Sequence, residues 1–268
     1  MTLEGTLRAV GLTRPTRRRG SCPACRLLVR DPSGEVHGVQ LAPPALTALA
    51  FLAVAAVAWA VMLEQVRAAG AMTMGLGSLG SFSAGWSVMM AAMMLPSALP
   101  LVFGFARIAE GRRRWQAATA VLGVTYLSMW LTFGLMCYLV ASALPMSWRD
   151  QGLLGGLALV LAGVYGLTPI KRANEARCRE LCALHGPLPF GLMRSAVAVG
   201  ARYGLSCIGC SAALMSALVV IGMSNLTWIV IVSGLVLVSK LAPAPGPRRT
   251  VLLSAALAVL GVAYGLTA

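Results

Sequence analysis

Charge is scarce in this chain. Of 268 residues only 11% are charged, 8 are acidic and 2 are histidine, while 58% are hydrophobic and the mean hydropathy is +0.80. Soluble globular domains carry about 25% charged residues, so this composition excludes that class. Ionisable side chains are almost missing from the long apolar runs, which argues against a proton relay or a pore for charged substrates. There are no paired carboxylates within a run, no Ser/His/Asp set and no phosphate-cradling loop, so the common hydrolytic and phosphoryl-transfer designs are set aside. No internal repeat of the kind that marks many secondary transporters is visible. Residues 1–41 are polar and Arg-rich with no apolar stretch. A cleavable signal peptide is therefore not expected, and the first span should serve as the insertion signal.

What remains is a chain suited to lipid. Its recurrent apolar runs are long enough to cross a hydrocarbon core of ~30 Å, and backbone in lipid must satisfy its own hydrogen bonds, so these runs should be helices. The expectation is an all-α, polytopic membrane bundle of about seven transmembrane helices at 44–63, 83–109, 115–144, 151–168, 204–222, 226–241 and 250–267. The moderately amphipathic stretch 187–203 is expected to lie along the interface. Pro96 and Pro100 remove two ladder bonds from the second span and should kink it. The domain organisation is a basic arm, 1–41, followed by a transmembrane domain, 42–268.

The formal net charge of +14 would suit nucleic acid, but its distribution points elsewhere. Lys and Arg collect between alternate spans. With the N-terminus cytoplasmic, every basic residue except Arg67 and Arg149 falls on the inner side, as the orientation rule for membrane proteins requires. This predicts a multi-pass protein of the inner (plasma) membrane, with the lipid bilayer as partner, polybasic loops on anionic headgroups and no nucleic acid.

The chemistry-bearing residues gather in the Cys-rich cytoplasmic segment 169–210. Cys178, Cys182 and His185 stand at i, i+4 and i+7 and share one face of a helix, as do Cys207 and Cys210 at i and i+3. Two thiolate pairs brought together supply four soft ligands in near-tetrahedral array, which suits copper as Cu(I), or zinc. The expected ligands are Cys178, Cys182, Cys207 and Cys210, with His185 in reserve. Six of the seven cysteines face a reducing compartment in this topology, where metal binding or redox exchange is favoured over structural disulfides. Cys22 and Cys25 form half of a zinc-ribbon signature without its partner half. Met89/Met93 and Met90/Met94 are i, i+4 thioether pairs, soft enough for Cu(I), though methionine beside a proline is equally a flexible core filler, the favoured reading. Met72 and Met74 lie toward the other side and would make a second soft stop.

Four motifs carry a resemblance. They are Trp86-x-x-Met89-Met90-Ala91-Ala92-Met93-Met94-Leu95-Pro96-Ser97, Tyr165-x-Leu167-Thr168-Pro169-x-Lys171, Gly204-Leu205-Ser206-Cys207-x-Gly209-Cys210, and Gly222-Met223-x-Asn225-Leu226-x-Trp228. Together they span about 80–245 and resemble a family of metal-binding integral membrane proteins, a domain of unknown function sometimes described as copper-chaperone-like. The resemblance implies a multi-span fold with a cysteine metal site. The family pattern has a cysteine pair four apart at positions 174 and 178, whereas this chain has Asn174 and Cys178, with Cys182 a turn later. Either the ligand set has shifted by a turn or one ligand differs.

The reading is therefore a membrane protein that binds or handles a thiophilic metal ion, and passes it to another membrane protein or a metal-receiving protein. Binding rather than catalysis is expected. Two rivals stay open: a membrane thiol–disulfide oxidoreductase using Cys207 and Cys210 at a helix start, and an accessory subunit whose metal site only staples helices together.

Overall fold

Eight α-helices and no strand form among the described residues. The computed structural model describes residues 43–69, 77–143, 151–183, 190–221, 226–241 and 247–267, all of them within one unit of the chain. The basic arm with Cys22 and Cys25, and the positions of His185, Met72, Met74 and Asn225, lie outside the described residues. The helices are α1 (Pro43–Ala69), α2 (Leu79–Ala109), α3 (Trp115–Ala143), α4 (Gln151–Gly166), α5 (Pro169–Cys182), α6 (Leu192–Ile221), α7 (Leu226–Leu241) and α8 (Pro247–Thr267).

Four of these, α1, α2, α3 and α6, are long and apolar enough to cross a membrane. Helices α4 and α5 form a pair bent by 69°, and α7 and α8 contain shorter apolar stretches, Leu226–Val238 and Thr250–Leu266. Large side chains such as Trp86, Trp130, Tyr126, Tyr203 and Phe105 are fully buried, while Leu46, Val57, Leu157, Leu161, Leu252 and Val259 stand exposed. A core of large aromatics with aliphatic side chains turned outward is the arrangement that lipid rewards.

Residues 192–203 of the expected interfacial segment and 204–221 of the expected fifth span are one continuous helix, α6. The small and polar residues that made 187–203 look amphipathic line a packing face. A Cβ on Gly200 would lie 2.7 Å from the carbonyl oxygen of Leu122, so glycine lets α6 lie directly on α3. Ser195 is buried and its hydroxyl donates to the Phe190 carbonyl at 3.0 Å.

Pro96 and Pro100 both lie inside α2, which runs through them as one helix. Pro96 has no N–H to give the carbonyl of Ala92. Trp59 on α1 supplies the missing donor, its Nε1 donating to the Ala92 oxygen at 3.0 Å. Trp59→Phe is expected to leave that carbonyl unpaired and to lower stability by about 1 kcal/mol, measured by thermal unfolding in detergent. A change within error would show the bond to be incidental.

Helices α4 and α8 come closest. A Cβ on Gly156 would lie 2.5 Å from the Gly261 oxygen, one on Gly261 would lie 2.6 Å from the Gly156 oxygen, and one on Gly163 would lie 2.7 Å from the Ser254 oxygen. Small residues in register let two backbones touch, the usual basis of helix association where no hydrophobic force acts between helices.

Candidate metal centre

The site begins at the elbow between α4 and α5. Thr168 caps α5, its hydroxyl accepting from Lys171 N at 3.3 Å and donating to the Tyr165 carbonyl at 2.7 Å. Pro169 occupies the first turn, where its missing N–H costs nothing. The Tyr165 hydroxyl donates to the carbonyl of Gly209 on α6, and Lys171 pairs with Glu175 one turn on. The segment Tyr165–Lys171 is thus a joint that turns the chain and pins the turn to α6.

From that joint α5 runs across α6. A Cβ on Gly209 would lie 2.5 Å from the Asn174 side chain, so the glycine between Cys207 and Cys210 is what admits α5. One turn beyond Asn174, Cys178 arrives over the two cysteines of α6. Its sulfur shares the ammonium of Lys240 with that of Cys210. All three are sequestered, with 3%, 0% and 5% of their surfaces exposed.

The remaining partners come from two further helices. Lys240, in the last turn of α7, places Nζ 3.3 Å from Cys178 Sγ and 2.8 Å from Cys210 Sγ, and 5.7 Å from the centre of the Tyr203 ring. The Tyr126 hydroxyl of α3 lies 3.3 Å from Cys207 Sγ. Cys210 Sγ donates to the Cys207 carbonyl at 3.1 Å and lies 3.5 Å from Ser211 Oγ. Among the described residues, the side-chain ion pairs with carboxylates are Arg67–Glu64 and Lys171–Glu175, so no described carboxylate balances Lys240. A half-buried ammonium without a carboxylate is held by what surrounds it, here sulfur, an aromatic face and the carbonyl end of α7.

Among the described residues, no three or more Cys, His, Asp or Glu side chains stand as a ready metal cage. The sulfurs are turned to the ammonium, the tyrosine hydroxyl and a backbone carbonyl rather than to one common point. Of the four cysteines expected as ligands, Cys178 and Cys210 meet at Lys240, and Cys207 lies one turn from Cys210 on α6. Cys182 lies one turn further along α5, half-buried, with its carbonyl 3.5 Å from where a Cβ on Gly104 of α2 would sit. His185 lies outside the described residues. Cys137 is elsewhere, 3.9 Å from Ser216 Oγ. Met89, Met90, Met93 and Met94 are all buried in the apolar core beside Trp86 and Trp130, which fits the core-filling reading.

Cys207 and Cys210 do not begin a helix, as the redox reading supposed. They sit in the interior of α6, which starts at Leu192, so no helix N-terminus activates them. Lys240 is the residue that sequence reasoning missed. Standing near the Pro- and Arg-rich stretch 243–249, it reads as one more cytoplasmic loop charge. Its only signal is its place as a lone cation on the last turn of an apolar run.

A family profile named PpoB2 and described as a copper chaperone matches residues 83–264, which contain all of these side chains. No curated protein and no solved structure matches the chain.

Proposed function

The chain belongs to the PpoB2 copper-chaperone family, and from that premise we propose that it carries Cu(I) on Cys178, Cys207 and Cys210. The observation that carries this reading is the approach of two buried thiols from two helices, Cys178 and Cys210, to a single positive charge, the Lys240 ammonium, with the buried Cys207 beside Cys210 on α6. A pocket that accommodates a monovalent cation against sulfur has the right softness and charge for Cu(I). Three thiolates complete a trigonal Cu(I) site, whereas zinc asks for a fourth ligand, which Cys182 or His185 would have to provide. Copper here is cargo, taken up from one thiolate carrier and passed to a metal-receiving protein.

We place the site within a multi-pass protein of the inner membrane. Four helices long enough to cross, one bent pair and two shorter apolar helices support a count near seven, with α7 and α8 completing the bundle. The orientation with the N-terminus inside rests on the charge bias, to which Lys240 no longer contributes as a solvated loop residue. Arg107, Arg112, Arg113 and Arg114 at the turn between α2 and α3, and Arg194 and Arg202 on α6, still fall on the same side in that topology. Copper would enter and leave from that face.

The test is elemental analysis of detergent-purified protein, loaded with Cu(I) under reducing conditions and washed. The wild type should retain about one copper per chain, and Cys178→Ser/Cys207→Ser/Cys210→Ser should retain none. Zinc in place of copper, lost on Cys182→Ser, would favour the tetrahedral four-cysteine site. A wild type that takes up neither metal would end the reading.

A further inference from the structure

Lys240 is a half-buried cation held by sulfur and an aromatic face, and its place is where a metal would have to go. Cys178 and Cys210 approach it from different helices, at 3.3 Å and 2.8 Å. A copper ion bonded to both sulfurs needs the space between them, which the ammonium fills. Both cations use the same sulfur lone pairs, so they exclude each other. The Tyr203 ring, 5.7 Å from Nζ, lies within the range at which an aromatic face holds an ammonium. It offers Lys240 a second station that keeps the charge paired when the first is taken.

We propose that Lys240 is the exchange partner of the copper ion: its ammonium holds the vacant sulfurs, moves off them as Cu(I) enters and returns as Cu(I) leaves. This rests on the reading of Cys178, Cys207 and Cys210 as the copper ligands. Copper remains monovalent throughout, so no electron is transferred. A thiolate-bound Cu(I) complex brings the ion, its Cu–S bonds break as Cu–S bonds to the protein form, and any proton still on a protein thiol leaves with the released carrier thiolate. The ammonium keeps its three protons and changes only its partners.

The consequence concerns delivery rather than storage. Copper bound by three thiolates in a closed site is hard to release, because the emptied sulfurs would be left without a counter-charge in a medium of low polarity. An ammonium on a flexible stem, tethered within reach, fills the site as the metal departs. Removing it should therefore trap copper.

The experiment follows Cu(I) transfer from loaded, detergent-purified protein to bathocuproine disulfonate, read by the colour of the chelate, in wild type, Lys240→Met and Lys240→Gln. The first variant keeps the apolar stem, and the second keeps a hydrogen-bond donor without the charge, so either alone can decide if the other fails to fold. Transfer from the variants should slow by at least about tenfold at unchanged copper stoichiometry, the low end of what a charge-assisted hydrogen bond contributes. Copper-loaded variants that transfer at the wild-type rate or faster would overturn the proposal and leave the copper site standing. A wild type that binds no Cu(I) would overturn the copper site and the exchange with it.

Discussion

Replacing Cys178 with Ser is expected to weaken Cu(I) binding by more than about 100-fold, beyond the 10–100-fold that loss of an outer partner usually costs a metal site. Cys178 is the sulfur that α5 brings toward the pair on α6, and in the proposed site it alone would join the two elements. A serine hydroxyl is a hard oxygen donor that Cu(I) does not favour. The same change on Cys182 should cost less than about tenfold, because it stands a turn beyond Cys178, the sulfur that meets the Lys240 ammonium together with Cys210. Competition titration against bathocuproine disulfonate under reducing conditions measures both. Equal losses at the two positions would restore the four-cysteine arrangement, and no loss at Cys178 would remove it from the ligand set.

The second large effect is structural. Gly156→Ala is expected to destabilise the protein by about 3 kcal/mol, the upper part of the range for overpacking a close-fitted interface. The added carbon would meet the Gly261 oxygen at 2.5 Å and the Gly265 Cα at 2.8 Å. Both are backbone atoms, which cannot swing aside as a side chain would, so α4 and α8 must part. Because α4 ends in the elbow that aims α5, copper affinity should fall with stability. Gly234→Ala is the control, since a Cβ there meets nothing within 4 Å, and the better helix propensity of alanine should leave stability unchanged or slightly raised. Thermal unfolding in detergent with and without Cu(I) separates the cases. A Gly156→Ala protein as stable as the wild type would show that the two helices slide apart at little cost.

Glycine also makes room for side chains at two further helix contacts. Gly209 between Cys207 and Cys210 is the gap through which Asn174 of α5 packs on α6. Gly134 on α3 makes room for Trp86, whose Nε1 donates to the Trp130 carbonyl at 2.8 Å and would lie 2.2 Å from a Cβ at that position. In each case a residue with no side chain on one helix receives a functional or anchoring side chain from another. Asn174 itself donates to the Ile170 carbonyl at 3.0 Å. Asn174, one turn before Cys178, thus lays its amide against the Cys207–Cys210 segment.

By itself the sequence determined an all-α chain with helices apolar enough to cross a membrane, and the family to which it belongs. Hydropathy and the scarcity of charge specify apolar helices, because lipid admits backbone only where its hydrogen bonds are closed internally. Helical spacing put Cys207 with Cys210 and Cys178 with Cys182, because side-chain direction along a helix is local. Only the tertiary structure decided which of those faces meet. It joined residues 192–203 to the span that follows, brought Cys178 to the ammonium that also holds Cys210 and left Cys182 a turn away. It also drew Lys240 out of the apparent loop charge and onto the sulfurs. The physical reason is common to all four. Hydropathy reports only whether a face avoids water, while the approach of one helix to another depends on the absence of a Cβ at Gly156, Gly200 and Gly209 and on the atoms opposite them. Those atoms belong to distant parts of the chain.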